Sequence, residues 1–212
     1  MMMSYKSDYP NQVQQINVSI SKNYYLLKDG NINYQVKKFD INWNNYSQSS
    51  KRHLVTFIIR DHFSNCSYAE LHSIDEMPVI EEFLFRAWSL KEDYEFYGAP
   101  ETLIVPTSTL KQFPGLTNFF KNVQNIVLQT PSSGFSTAIR SLRDWERSIK
   151  GITWIYTNCK TLPDFQKNIQ LVNRKLNTYN SGKTEPNLDK WCDNSPMIVE
   201  VGEKEKFYQL FK

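Results

Sequence analysis

From Gln15 to Ile20 apolar and polar residues alternate, which puts Ile16, Val18 and Ile20 on one face of a strand. Tyr24 to Leu27 is a short apolar run, closed by the turn pair Asp29-Gly30. Tyr34 to Trp43 reads as a further strand, and the stretch from Asn44 to Lys51 is a polar, Ser/Asn-rich loop. His53 to Ile59 is almost continuously apolar, the pattern of a central strand covered on both faces. Arg60 to Asn65 supplies a turn and Cys66 to His72 returns as a strand. Asp75 is a suitable N-cap with Glu76 in the first turn and Pro78 near the helix start. Val79, Phe83, Ala87, Leu90 and Tyr94 then mark one helical face, which Gly98 and Pro100 end.

Beyond that point the spacing predicts a short buried strand at Thr102 to Val105, a helix around Gly115 to Val123 and a strand at Asn125 to Gln129. Phe135, Ala138, Ile139, Leu142, Trp145 and Ile149 recur at helical spacing, as do Leu162, Phe165, Ile169, Val172 and Leu176. Three strands whose connections are too short for crossover helices make an antiparallel meander. Strands and helices then alternate, which gives a sheet with helices on its faces, an α/β protein.

Composition fits this picture: 40% of the 212 residues are hydrophobic, 22% are charged and 14% are aromatic. No apolar run approaches the ~20 residues that span a bilayer, and no apolar secretory leader stands at the start. Cys66, Cys159 and Cys192 form no CxxC pair, so a reduced, cytoplasmic setting is expected. The 25 basic and 22 acidic residues leave a net charge of +3, so nucleic-acid binding would have to come from local clusters.

One family shares this order of elements and several local motifs. Phe39-Asp40-Ile41, the polar loop and HLVTFIIRDHFSNCSYAEL resemble the core of retroviral-type integrases and DDE transposases. Asp61-His62-Phe63-Ser64 matches the Asp-x-Phe-Ser-like turn that ends the family's second strand, and Gly98-Ala99-Pro100 its G-x-P lead into the fourth. PSSGFSTAIRSLRDWERSIK resembles its loop and carboxylate-bearing helix, and LNTYNSGKTEPNLDKWCDNSP the ending after many transposase cores. The resemblance spans Tyr34 to Pro196. It implies a ribonuclease H-like fold: a mixed five-stranded sheet, an antiparallel meander followed by parallel strands, flanked by helices. It also implies three parts: an N-terminal strand extension (1–33), the core (34–196) and a C-terminal tail (197–212).

The family's chemistry needs three carboxylates holding two divalent cations about 3.5–4 Å apart. Carried over by resemblance, the first is Asp40, the second should follow Val105, where Pro106-Thr107-Ser108 stands, and the third falls on Thr137, three residues past Gly134. Pro and Thr are not anionic ligands, so an inactive core with no cofactor is expected. The alternative is an active DNA strand-transfer enzyme using Mg²⁺ or Mn²⁺ at a shifted site built from Asp40, Asp61, Asp144 or Glu146. Taken individually, Asp40 also reads as a polar residue at a strand end and Asp61 as turn chemistry.

Arg140, Arg143, Arg147 and Lys150 step by three, four and three residues and share one helical face, a candidate DNA-contacting stripe. Asp144 and Glu146 dilute it. His62, Cys66 and His72 do not compose the four ligands zinc requires. The partners to expect are DNA, a second copy of the chain or a transposase-type protein, and no membrane. A third reading is a repurposed protein-interaction module, with Phe207, Tyr208 and Phe211 as an exposed apolar patch.

Overall fold

The computed structural model describes residues 6–131, 136–155, 159–179, 185–194 and 196–212. Its core is one mixed sheet of β1 (Val13–Leu26), β2 (Ile32–Tyr34), β3 (Arg52–Asp61), β4 (Ser67–Ser73), β5 (Thr102–Ile104) and β6 (Val127–Gln129). The order across the sheet is β4-β3-β1-β5-β6, with β2 pairing to β1. β1, β3 and β4 form the antiparallel meander, and β5 and β6 add in parallel to β1. The segment read as an N-terminal extension therefore contains the central strand of the sheet, so residues 1–33 are not a part separate from the core.

β1 is longer than the alternation predicts because an irregularity joins two stretches. Between Ile20 and Tyr25 it advances five residues while β3 advances two. The Ser21 hydroxyl accepts from the Asn23 and Tyr24 backbone N–H groups and holds this kink. The odd offset reverses which residues face which side. Ile16, Val18 and Ile20 pack into one core cluster, whereas Tyr24 and Leu26 pack into the other.

The first cluster lies under α1 (Ile80–Trp88), α2 (Thr107–Gln112), α3 (Gly115–Asn122) and α8 (Lys204–Gln209). The second lies under α4 (Ser136–Ile155), α5 (Leu162–Lys167) and α6 (Ile169–Thr178), with α7 (Asn187–Asp193) leading back toward the first. Leu142, Trp145 and Ile149 of α4 are buried at the spacing the sequence predicts.

α1 is shorter than its periodicity. Val79 is 53% and Leu90 76% exposed, and the helix ends at Trp88. The Lys91 ammonium donates to the carbonyls of Ala87, Ser89 and Phe96 and closes the C-terminus. The Trp88 indole N–H donates to Gln14, whose amide in turn donates to Asn11 and the Gly98 carbonyl. Gly98 has φ +92°, and a Cβ there would stand 3.0 Å from the Asn11 amide nitrogen, which explains a glycine before Ala99-Pro100.

The tail overturns one expectation. Phe207 and Phe211 are buried, stacking on Phe119 and packing around Phe85 and Trp88, while Tyr208 is half-buried. These rings complete the core instead of forming an exposed patch. No helix among the described residues is long and apolar enough to cross a membrane.

Candidate functional site: a cleft beneath helix α4

The polar face of β1 carries Asn17 and Ser19, and Ser19 sits opposite Thr56 of β3. Because β1 is central, that face is covered by α4 instead of meeting water. A cleft of about 440 Å³ opens there, lined by Asn17, Ser19, Lys22, Lys38, Asn42, Trp43, Pro106, Ser108, Arg143 and Glu146, among others. The loop bearing Lys38 is tied to β1 by the Phe39 N–H donating to the Lys22 carbonyl (2.8 Å), which brings the two lysines to one side.

Glu146 is the cleft's acid. Its side chain is turned toward the sheet, and the residue is 5% exposed. The Thr56 hydroxyl donates to its Oε1 at 2.7 Å, and the Tyr24 hydroxyl donates to its backbone carbonyl. Burial pushes the carboxyl above the usual range, and hydrogen bonding to Thr56 and Ser21 and the charge of Lys38 offset part of that. Opposing this one acid are Lys22, Lys38 and Arg143, all exposed and none in a salt bridge among the described residues.

The other sequence-derived positions lie elsewhere. Asp40 is exposed in the loop between β2 and β3, since the strand expected over Tyr34 to Trp43 stops at Tyr34; its carbonyl accepts from Asn45. Asp61 ends β3 fully buried, accepting from the Asn11 N–H, the Ser64 N–H and the Ser64 hydroxyl, each at 2.7 Å. Burial raises its carboxyl and those donors partly offset the rise, so Asp61 pins the turn to the start of β1. Asp144 lines a separate polar pocket with Arg60, Asn177 and Asn187. Among the described residues no group of three or more His, Cys, Asp or Glu could hold a metal ion. Gly134 lies outside the described residues, as does the side chain of Thr137.

Arg140, Arg143, Arg147 and Lys150 are all exposed on α4, opposite buried Leu142, Trp145 and Ile149. Arg143 reaches the cleft, and the Lys150 ammonium lies 4.6 Å from the centre of the Tyr34 ring. His62 bonds Ser7 while Cys66 is buried against the Tyr94 hydroxyl, so the two engage different partners.

A larger cleft of about 790 Å³ flanks β4 and α1, and its Glu70, Arg86 and His72 are committed to one another. Glu70 accepts from Arg86 twice, from His72 and from Tyr68.

No protein-family model matches the sequence, and a search of curated proteins finds no relative. Solved structures do match. A chain of the simian T-cell lymphotropic virus intasome, determined in complex with PP2A regulatory subunit B56 gamma, matches with TM-score 0.51. It is 13% identical, over 93% of this chain and 61% of that one. The fold is ribonuclease H-like, of the integrase-core type. The magnesium-bound HTLV-2 integrase catalytic core domain matches over 88% of this chain and 99% of that one, at 11% identity and TM-score 0.49. The BIV integrase core matches over 86% and 95%, at 11% identity and TM-score 0.45.

β1 pairs with β3, the strand that ends at Asp61, and the cleft lies between β1, the loop bearing Lys38, the residues following β5 and α4. β1 contains no Asp or Glu. Pro106 and Ser108 follow β5. A pair of divalent cations requires several anionic oxygen ligands. One buried, hydrogen-bonded carboxyl facing three cations does not fit that requirement.

The sequence reading found the strand at Gln15 to Ile20 but not its central place in the sheet, and a signal for that place was present. Gln15, Asn17, Ser19 and Ser21 repeat at every second position opposite the apolar face, and polar residues on a strand covered on both sides mark either a network or a site.

Proposed function

We propose that this integrase-like core binds DNA through the exposed face of α4 and does not cut it. The observation that carries the reading is the composition of the cleft and its rim: four cations along α4, and one buried acid where a metal-dependent enzyme needs several. Arg140, Arg143, Arg147 and Lys150 are spaced along a rigid helix, and such a stripe neutralises phosphates and releases counterions. Against a metal-binding role for Asp40 stand its exposed loop and its place outside the sheet. The reading is that of a mobile-element-derived pseudoenzyme, acting on DNA directly or beside an active transposase-type partner.

The test is binding to labelled duplex DNA across a salt series, with cleavage followed in Mg²⁺ and in Mn²⁺. Affinity is expected to fall steeply with salt, with a log–log slope of about −3 to −4 if the four cations each meet a phosphate. Arg140→Ala with Arg143→Ala is expected to reduce that slope by about 2. No nicking is expected with either metal. Metal-dependent nicking lost in Asp40→Asn would overturn the non-catalytic half, and a salt-insensitive or undetectable affinity would overturn the DNA-binding half.

A further inference from the structure

The cleft beneath α4 has an unusual charge. Its floor is β1 from Asn17 to Ile20, with Asn17 only 8% exposed and Val18 and Ile20 adding apolar surface. One wall is the loop that sets Lys38 beside Lys22, joined through Phe39 N–H to the Lys22 carbonyl. The other wall is α4, which contributes Arg143. The rim adds the Ser108 hydroxyl and the Asn42 side chain. The cleft's acid, Glu146, is buried and bonded to Thr56, and the charge of Lys38 bears on it. Three cations from three segments thus surround a floor of mixed polar and apolar residues, with hydroxyl and amide donors between them, and none of the three cations is in a salt bridge among the described residues.

We infer that this cleft binds a phosphate group directly, with Lys22, Lys38 and Arg143 supplying the positive charge that bound metal ions supply in a carboxylate site. The inference deepens the DNA-binding reading, because the phosphate it would take in that reading is a backbone phosphodiester. The chemistry supports it in three ways. Ammonium and guanidinium groups hydrogen-bond phosphate oxygens with charge assistance, and Arg143 can do so with two parallel N–H donors. Asn17 and Asn42 add neutral N–H donors. A carboxyl turned to the sheet removes the anion that would otherwise repel the ligand. Binding of this kind needs no divalent ion, so chelation leaves it intact. Nothing in the cleft activates a nucleophile, which makes it a holding site.

The experiment uses the whole chain in excess EDTA, with two probes. Inorganic phosphate is titrated while the side-chain NMR signals of Asn17, Asn42 and Arg143 are followed. Labelled DNA is titrated in parallel with the parent, with Lys22→Gln/Lys38→Gln and with Arg140→Gln/Arg147→Gln. Both pairs are exposed, and circular dichroism confirms that the variants fold. Phosphate is expected to shift the cleft signals saturably in the parent and not in Lys22→Gln/Lys38→Gln. That variant is expected to bind DNA about tenfold more weakly, with a salt slope lower by about 1, because the three cations share one phosphate. If it matches the parent in both assays, or if EDTA abolishes the parent's binding, the cleft inference is overturned. DNA binding that depends on Arg140 and Arg147 but not on the lysines would leave the DNA-binding reading standing without the cleft. Saturable phosphate shifts with no DNA binding would overturn that reading and assign the cleft to a free phosphate or nucleotide.

Discussion

Urea unfolding of Arg86→Met is expected to show a loss of about 3–5 kcal/mol at neutral pH, with an unchanged slope and a lower midpoint. Glu70 is 3% exposed on β4 and lies between the sheet and α1. Arg86 reaches it from α1 with two nitrogens, Nε to Oε1 at 2.7 Å and Nη2 to Oε2 at 2.8 Å. The Tyr68 hydroxyl donates to Oε1, and His72 Nε2 donates to Oε2 while its Nδ1 accepts from Gln166. Removing Arg86 leaves a buried carboxylate with neutral donors alone, and that penalty is the origin of the loss. Adding Glu70→Gln to Arg86→Met removes the stranded charge and keeps an acceptor oxygen for one of Tyr68 and His72, so part of the stability is expected to return.

The pH dependence follows from the same group. Burial alone would raise the Glu70 carboxyl, but the hydrogen bonds of Arg86 and His72 and the charge of Arg86 outweigh it and hold the group at about 2, below its ordinary 4.5. A carboxyl depressed on folding adds stability that is full above about 4.5 and is lost as the pH falls through 2. In Arg86→Met burial prevails, the carboxyl rises, and the penalty is relieved on acidification. The gap between parent and variant is therefore expected to be widest at neutral pH and to close toward pH 2. A gap independent of pH would mean that Arg86 acts by packing its stem and not through Glu70.

Much of the architecture was legible because it rests on patterns with one physical reading. The apolar run at His53 to Ile59 is a doubly covered strand, and β3 has that place between β1 and β4. The short connection around Asp61 to Ser64 demanded an antiparallel return, and Asp61 indeed serves the turn. The helical face of Leu142, Trp145 and Ile149 predicted both the buried side of α4 and the exposed stripe opposite it. What failed was the place of the first strand. Alternation ordinarily means one wet face, so Gln15 to Ile20 read as a half-buried strand preceding the core. The kink at Ser21 to Asn23 then hid its continuation through Tyr24 and Leu26, because an odd offset inverts the alternation. With the central strand displaced in sequence, the first carboxylate position was placed on Asp40, in a loop. The cleft was illegible for the same reason: Lys22, Lys38 and Arg143 come together only once β1 sits between β3 and β5.

The edge of the sheet yields the second large effect: Asn173→Leu is expected to cost about 3 kcal/mol or more and to open β4 to exchange and to pairing with other chains. β4 is an edge strand, and every second residue turns its N–H and C=O outward. Asn173 closes one such pair, accepting from Ala69 N–H at 2.9 Å and donating to its carbonyl at 2.8 Å. Asn177 does the same for Ser67 at 3.0 and 2.9 Å, and Gln166 donates to the Leu71 carbonyl. The registers match because four residues of helix rise about 6 Å and two residues of strand about 6.6–6.8 Å. Leucine at 173 fills similar space but strands two buried backbone groups at about 1–3 kcal/mol each, and the Trp145 indole N–H also loses its acceptor. The discriminating measurement is amide exchange. In Asn173→Leu the Ala69 N–H is expected to lose its protection while Ile58 and the other inner amides of β3 keep theirs, and in Asn177→Leu the loss should move to Ser67. Uniform loss across the sheet would mean that Asn173 supports global packing, and that the paired amides are not what seals this edge.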